Sequence, residues 1–133
     1  MCGIAGIITA NTNELSTGRL KTMTDIIAHR GPDGEGQWIS ADGRVGLAHR
    51  RLSIIDLSEA GTQPMHYMDR YSITFNGEIY NYVELKEMCV KQGYPFATQT
   101  DTEVIMALYD WKKEECLQYF DGMYAFALYD ANE

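Results

Sequence analysis

The second residue of the chain combines two reactive groups once the initiator is removed. Cleavage of Met1 would leave Cys2 with both a side-chain thiol and a free α-amine. The reference pKa of an α-amine is about 7.7 to 8.0 and that of a thiol is about 8.5, so near neutral pH some amine is unprotonated and can accept the thiol proton. This pairing predicts a nucleophile for acyl transfer that carries its own base. Taken alone, the residue is equally compatible with a small, buried packing role.

A second pair of residues offers hydrogen-bond donors. Asn76-Gly77 follows the alternating run 71–75, and on spacing alone this dipeptide is typical of a type I′ hairpin turn that closes a strand. The Asn side-chain amide and the Gly backbone N–H are also suitable neutral donors for a developing oxyanion. The two interpretations are compatible, because a tight turn can present both donors rigidly.

Three charged residues match the two ends of an amino acid. A guanidinium such as that of Arg51 forms paired hydrogen bonds to a carboxylate, whereas Glu78 and Asp101 can pair with an ammonium group. The alternative interpretation is a solvated surface charge for each, and for Asp101 a residue favoured at a helix start. Arg50 is an adjacent rival for the carboxylate. The residue types and spacing alone favour the alternative interpretation for Arg51, Glu78 and Asp101.

Seven short motifs, in order along nearly the whole chain, resemble those of one known family. The family is the class II, N-terminal-nucleophile glutamine amidotransferase domain of glutamine-hydrolysing asparagine synthetases. Seven ordered matches make coincidence improbable, although any single one is weak. The motifs are Met1-Cys2-Gly3-Ile4-Ala5-Gly6, His29-Arg30-Gly31-Pro32-Asp33, Arg51-Leu52-Ser53-Ile54-Ile55-Asp56, Gln63-Pro64, Asn76-Gly77-Glu78-Ile79-Tyr80-Asn81, Thr100-Asp101-Thr102-Glu103-Val104 and Gly122-Met123-Tyr124-Ala125-Phe126-Ala127-Leu128-Tyr129-Asp130.

The resemblance implies a role for each candidate catalytic residue. It makes Cys2 the nucleophile, its freed α-amine the base, and Asn76 with Gly77 the oxyanion hole. The implied reaction converts glutamine and water to glutamate and ammonia through a γ-glutamyl thioester. It also implies that His29–Asp33 shapes a loop near the pocket.

The resemblance also implies how glutamine is held. Its motif begins at the Arg directly before Leu-Ser-Ile, which selects Arg51 for the α-carboxylate, and it assigns the α-ammonium to Glu78 and Asp101. Backbone groups of Leu52 and Ile54 are expected to line the pocket as well.

The fold that the resemblance implies is α+β, a four-layer αββα sandwich of two mostly antiparallel sheets between helical layers. Residues 1–133 are expected to form one glutaminase domain. In the family, its ammonia reaches a C-terminal synthetase domain that uses ATP and Mg to make asparagine from aspartate. No Gly-rich ATP-pyrophosphatase loop occurs in the chain, so that domain is expected to be absent and no cofactor or metal is expected in this one. A homodimer is possible.

The helices and strands around these residues are predicted from the spacing of hydrophobic residues and from the residues typical of turns and helix ends. The order is β, α, several β, α, α and a final β, with a turn at 31–36, a hairpin turn at 41–44 and a loop at 58–68. Capping boxes are predicted at Asn81 with Glu84 and at Thr100 with Glu103. The predicted strands are Cys2–Ile8, Gln37–Ser40, Val45–His49, Leu52–Leu57, Tyr71–Phe75 and Met123–Tyr129. The first is expected to be buried, and the last is expected to be packed between layers. The predicted helices are Ser16–His29, Asn81–Gln92 and one that begins at Thr100, whose apolar face is Val104, Ile105, Leu108 and Tyr109.

The composition of the chain argues against nucleic-acid binding, membrane insertion and secretion. A formal charge of −8 and a length of 133 residues describe a single acidic domain that would repel nucleic acid. No apolar run approaches the roughly 20 residues of a membrane span, and a secretory signal is lacking, so a cytoplasmic location is expected. The spacing of Cys2, Cys89 and Cys116 fits neither a disulfide framework nor a zinc site, and the three histidines lie too far apart for metal chemistry.

Three rival interpretations share part of this pattern. A bile-salt or penicillin-type acylase would use Cys2 but would lack the Arg51, Glu78 and Asp101 clamp. A catalytically silent glutamine-binding module would retain Met1 and lock the α-amine in a peptide bond. An amidotransferase that serves a sugar or a natural-product acceptor would share the whole glutamine site.

Overall fold

A computed structural model describes residues 1–53 and 58–133 of the chain. It contains six strands, three α-helices and short 3-10 turns. The strands are β1 (Gly3–Ile8), β2 (Gly34–Ile39), β3 (Val45–Arg51), β4 (Met65–Tyr67), β5 (Tyr71–Ile79) and β6 (Gly122–Asp130), and the α-helices are α1 (Thr17–Ile26), α2 (Tyr82–Lys91) and α3 (Asp101–Lys112).

The strands form two antiparallel sheets that pack face to face. The first has the order β1-β3-β2 and the second the order β4-β5-β6. The Thr74 hydroxyl of β5 donates to Ala48 O of β3 at 2.9 Å, which joins the two sheets across their interface. α1 covers the outer face of the first sheet, and α2 with α3 covers the second. The predicted four-layer αββα arrangement is therefore confirmed.

Each helical layer has its own apolar core. Leu15 and Leu20 pack with Ala48 between α1 and the first sheet. The larger core lies under α3, in which every residue from Asp101 to Leu108 is buried. The predicted apolar face of α3 is correct but incomplete, because α2 and the second sheet bury the helix on more than one side. Complete burial of an aliphatic side chain stabilises the fold by about 1.5 to 3 kcal/mol.

Two of the helix starts follow from local sequence. The Ser16 hydroxyl accepts from Arg19 N–H at 3.1 Å at the start of α1. At the other end of this helix, a 3-10 turn at 28–30 follows, directly before Gly31. At α3 the Thr100 hydroxyl accepts from Glu103 N–H at 3.4 Å. The Glu103 carboxylate instead accepts from the backbone of the preceding loop, at Ala97 and Thr98. The predicted capping box at α3 is thus half formed.

The predicted capping box at α2 is wrong. The Asn81 side chain makes no cap hydrogen bond to its own helix. Its amide donates to Tyr119 O at 2.9 Å and accepts from Asp121 N–H at 3.0 Å. Asn81 therefore fastens the start of α2 to the segment that leads into β6, a long-range role that its spacing to Glu84 does not reveal.

The strand and loop predictions also need correction. β5 runs without a turn through Asn76-Gly77 to Ile79, because β6 pairs with it along its whole length. The last three residues of the predicted turn 31–36 belong to β2. The predicted loop 58–68 contains a 3-10 turn and β4. The hairpin turn 41–44 is confirmed between β2 and β3. Of the predicted strand Leu52–Leu57, Leu52 and Ser53 are not in a strand, and residues 54–57 lie outside the described residues.

Two strands are less buried than their sequences indicate. In β1 only Gly3 is buried, and Ile8 at its end is 86% exposed. In β6 the alternate residues Met123, Ala125 and Ala127 are exposed, so the expectation of a strand packed on both faces is wrong. Within residues 1–53 and 58–133, no helix is long and apolar enough to span a membrane.

Candidate active site

One cavity of about 230 Å³ collects the predicted site residues. The two sheets and the first turn of α3 all contribute to its lining. Seven of the eight predicted residues line it, and the eighth, Ile54, lies outside the described residues. The seven are Cys2, Arg51, Leu52, Asn76, Gly77, Glu78 and Asp101.

The Cys2 thiol is partly buried and lies against the chain that follows β3. Leu52 N–H donates to Sγ at 3.2 Å, and Sγ lies 3.6 Å from Leu52 O. The Arg30 guanidinium donates from Nε to Cys2 O at 3.1 Å. Met1 lines the same cavity and is 52% exposed. The thiol is therefore held at the cavity wall, with the chain terminus beside it.

The loop at 29–33 ties the first sheet together near the thiol. Besides the Arg30 contact, Asp33 N–H donates to Arg51 O at 2.9 Å, and the Asp33 carboxylate accepts from Ser53 N–H at 2.9 Å. A side chain at Gly31 would meet the Arg50 carbonyl carbon at 2.4 Å, so the loop approaches β3 too closely for any other residue. Residues 29–33 do not line the cavity themselves, but these bonds hold Cys2, Arg51 and Ser53, which do.

Strand alternation separates the two adjacent arginines. Arg50 points toward α1, where Nη2 lies 2.9 Å from Asp25 and 3.4 Å from Glu35. Arg51, on the opposite face of β3, lines the cavity, and its Nη1 donates to Ser58 O at 2.7 Å. Successive side chains of a strand point to opposite faces, so only one of the pair can reach the cavity. The choice of Arg51 over Arg50 agrees with this geometry.

The residues contributed by β5 follow the same rule. Asn76 and Glu78 lie two apart and share the face that lines the cavity. Gly77 has φ 149°, and a Cβ there would lie 2.1 Å from Met123 O of β6. Glycine is therefore required for β6 to pair at this point. The Asn76 side-chain oxygen is buried and has no hydrogen-bond partner among the described residues, an arrangement that often marks a binding or catalytic position.

The two acidic residues stand in different environments. Glu78 is exposed at the rim, whereas Asp101 is 5% exposed in the first turn of α3. Ile79 N–H donates to the Asp101 carboxylate at 2.9 Å. Burial raises the pKa of Asp101 above its usual value, and the nearby Glu78 charge raises it further. A cationic group bound between these carboxylates would stabilise their ionised forms.

The cavity also contains residues to which the sequence analysis gave no role at the site. His49 and Gln63 are buried in its wall, and Thr102, Tyr80 and Met123 line it. Burial lowers the pKa of His49 to about 4, so its ring is neutral near pH 7. The motif Gln63-Pro64 was the available signal for Gln63, but a dipeptide does not reveal which backbone its side chain will contact. Among the described residues, no group of three or more His, Cys, Asp or Glu side chains is arranged to hold a metal ion.

Comparison with known proteins identifies relatives of the whole chain. The glutamine amidotransferase domain family matches residues 1–133. Asparagine synthetase [glutamine-hydrolyzing] 1 of Bacillus subtilis is 45% identical over 100% of this chain and 21% of its own length. Asparagine synthetase B [glutamine-hydrolyzing] of Escherichia coli is 41% identical over 100% of this chain and 24% of its own length. The chain thus spans about a fifth to a quarter of these relatives.

A solved structure supports the fold independently of close sequence similarity. The glutamine phosphoribosylpyrophosphate amidotransferase of B. subtilis superposes with a TM-score of 0.77 at 19% identity. The match covers 96% of this chain and 35% of that one. The family match over residues 1–133 shows that this chain belongs to the glutamine amidotransferase domain family, and its four-layer sandwich agrees with that membership.

Proposed function

We propose that this chain hydrolyses the side-chain amide of glutamine to glutamate and ammonia, with Cys2 as nucleophile after removal of Met1. The observation that carries the proposal is the convergence of four segments distant in sequence, which together contribute seven predicted residues, on one cavity of about 230 Å³. They supply a nucleophile, oxyanion donors, a cation and two carboxylates. Glutamine is a zwitterion with a carboxamide side chain, and it needs each of these groups.

The first half of the reaction forms a thioester. The free α-amine of Cys2 accepts the thiol proton as sulfur attacks the carboxamide carbon of glutamine. The Asn76 side-chain amide and the Gly77 N–H donate to the oxyanion, which carries the charge that develops on the former carbonyl oxygen. The intermediate then collapses, the C–N bond breaks, and the leaving nitrogen takes the proton from the α-ammonium to depart as ammonia.

The second half returns the free enzyme. Water attacks the thioester carbon and gives a proton to the α-amine, and the same donors stabilise the second oxyanion. The C–S bond breaks, glutamate leaves, and sulfur recovers its proton. No metal or cofactor takes part in either half of this scheme.

Binding of the glutamine backbone uses opposite charges at the two ends of the cavity. Arg51 pairs with the α-carboxylate, while Glu78 and Asp101 hold the α-ammonium. The backbone of Leu52, and in the proposal that of Ile54, completes the wall. The contrast between exposed Glu78 and buried Asp101 gives the ammonium one partner at the rim and one in the interior.

The ammonia is proposed to serve a C-terminal synthetase domain that forms asparagine from aspartate with ATP and Mg. The support is that relatives named as glutamine-hydrolysing asparagine synthetases match this chain over its full length but are four to five times longer. A sugar or natural-product acceptor would use the same glutamine chemistry. Assaying the full-length protein with aspartate and ATP, then with other acceptors, separates these cases.

Glutamine hydrolysis itself is tested on protein whose intact mass shows that Met1 is absent. Glutamate release is measured, and a glutamine-analogue electrophile is mapped by mass spectrometry. The expected result is turnover of glutamine and a single adduct on Cys2. A matched form that retains Met1 keeps the thiol, but the nitrogen of Cys2 is then in a peptide bond and cannot act as the base. This form should therefore bind glutamine without turnover. Turnover by the Met1-retaining form at the rate of the mature form would contradict the α-amine as base.

A further inference from the structure

Among residues 1–53 and 58–133, no strand pairs with the edge of β5 just before the proposed oxyanion hole. β4 pairs with β5 only from Met65 opposite Ile73 to Tyr67 opposite Tyr71. Continuing that register by two residues would place Gln63 opposite Phe75. The ladder stops short of this point because β4 begins at Met65. The Phe75 backbone is nevertheless buried, so its polar groups require partners.

Two side chains supply those partners. Gln63 Oε1 accepts from Phe75 N–H at 2.6 Å, and His49 Nε2 lies 3.0 Å from Phe75 O. Because a carbonyl only accepts, the His49 ring carries its proton on Nε2 and donates it. Gln63 and His49 are 7% and 1% exposed, so water does not compete for either bond. Side chains thus take the place of a neighbouring strand at one residue.

We propose that Gln63 and His49 are positioning residues for the oxyanion hole, fixing the Phe75 peptide from which Asn76 and Gly77 continue. The inference rests on the proposed function, because only that function gives Asn76 and Gly77 a substrate oxygen to stabilise. His49 belongs to β3, which also carries Arg51, so its bond sets the oxyanion donors relative to the sheet that holds glutamine.

Gln63 connects the same peptide to the other side of the cavity. Its Nε2 lies 3.4 Å from Thr102 Oγ1, one residue beyond Asp101 in α3. On the far side, a Cβ at Gly36 of β2 would lie 2.1 Å from Gln63 O, so the first sheet packs directly on this backbone. Gln63 therefore contacts the three elements whose relative placement determines whether the oxyanion donors meet the bound carboxamide.

The test replaces each side chain with one of similar size that lacks the hydrogen bond. Gln63→Met and His49→Phe are expected to lower kcat for glutamine hydrolysis by about 10- to 100-fold, because small displacements of oxyanion donors have large effects on rate. KM is expected to stay within about threefold of its original value, since neither side chain is assigned to the zwitterion. The full-length, Met1-free protein is used. A kcat within about threefold of wild type in both variants would overturn the proposal.

Thr74→Val is the matched control. Thr74 is buried in β5 next to Phe75 and donates to Ala48 O across the same sheet interface, but it does not bond the Phe75 backbone and does not line the cavity. This variant should lose a comparable amount of thermal stability and keep kcat within about twofold of wild type. If Thr74→Val lowers kcat as much as Gln63→Met, the effect is one of general stability and the proposal is wrong.

Amide hydrogen exchange separates this inference from the proposed function. Exchange at the Phe75, Asn76 and Gly77 amides should accelerate by about tenfold or more in Gln63→Met relative to Thr74→Val, whether or not the protein turns over glutamine. Unchanged exchange there would overturn the positioning role. Absence of glutamine hydrolysis by the wild-type, Met1-free protein would instead overturn the proposed function.

Discussion

The Cys2 thiol and the backbone of Leu52 are in reciprocal contact, with Leu52 N–H donating to Sγ at 3.2 Å and Sγ lying 3.6 Å from Leu52 O. A nucleophile close to the chain terminus would otherwise sample many orientations. The contact ties it to the residue that directly follows Arg51, so the sulfur lies beside the end of the strand that carries the proposed carboxylate partner. The attacking sulfur and the residue proposed to bind the α-carboxylate are therefore placed by neighbouring residues of the chain.

Cys2→Ala should abolish glutamine hydrolysis while the fold is retained, because only the thiol is removed. Cys116→Ala is the matched control, because Cys116 is also a free cysteine but is buried in the larger core under α3. That variant should keep its activity and lose some thermal stability. Ammonia release by Cys2→Ala would contradict the mechanism.

A glutamine-analogue electrophile should label Cys2 and leave Cys89 and Cys116 unmodified. Burial raises the pKa of each of the latter two thiols to about 11, so near neutral pH they hold little of the reactive thiolate. Peptide mapping by mass spectrometry reads the result. Equal labelling of all three cysteines in folded protein would mean that the cavity does not direct the reagent.

Arg51→Ala should weaken glutamine binding by about 2 to 4 kcal/mol if the carboxylate pair is shielded from water, as expected for loss of one member of such a pair. Arg50→Ala is the control, since Arg50 is occupied with Asp25 and Glu35 on the α1 side. Its KM for glutamine should be unchanged. Steady-state kinetics on both variants makes the comparison, and a KM that rises equally in both would contradict the assignment of Arg51.

Asn76→Ala should lower kcat by about 100-fold or more, because a neutral donor to the oxyanion is lost. KM should change little, since this donor acts mainly in the transition state. Measured kcat and KM for glutamine decide the matter, and an unchanged kcat would remove Asn76 from the oxyanion hole.

Glutamine binding should weaken at low pH through Asp101. Burial raises its pKa, so in the unliganded protein the folded state holds the proton more tightly than the unfolded chain. That shift makes stability fall as pH rises from about 3.8 through the raised value. Bound ammonium favours the ionised carboxylate, so affinity should increase with pH across the same window. Calorimetric titration of Cys2→Ala with glutamine measures it, and Asp101→Asn should bind weakly with a flatter pH dependence.

His49 should make the fold sensitive to mild acid. Its pKa is lowered to about 4 in the folded protein by burial, against about 6.5 in an unfolded chain. The stability it confers is complete above pH 6.5 and is lost as pH falls toward 4, with a slope of about 1.4 kcal/mol per pH unit. Denaturant unfolding at several pH values should show this slope as the difference between wild type and a variant that lacks the His49 ring, because Asp101 contributes a slope of opposite sign in part of the same range.

The matched variants isolate that single histidine. His49→Phe removes the titrating ring, whereas His29→Asn changes an exposed histidine in the loop at 29–33. The slope between pH 6.5 and 4 should decrease in His49→Phe and persist in His29→Asn. Identical slopes in wild type and His49→Phe would show that other groups dominate acid unfolding.

Features that depend on neighbouring residues could be predicted from the sequence. The caps at Ser16 and Thr100 bond to residues three positions away, and the hairpin at 41–44 joins adjacent strands, so local chemistry was sufficient. The ordered motifs also led to seven residues that line the cavity, because the resemblance supplies site chemistry position by position.

Contacts between residues far apart in the chain could not be predicted in this way, because they depend on how the layers pack. Asn76-Gly77 is in a strand because β6, more than 40 residues later, pairs with β5 there, and Asn81 bonds the approach to β6 instead of its own helix. Gln63 acquires its role because β4 begins too late to satisfy Phe75. A buried backbone group takes whichever partner the packed layers bring within reach, and no local spacing encodes that partner.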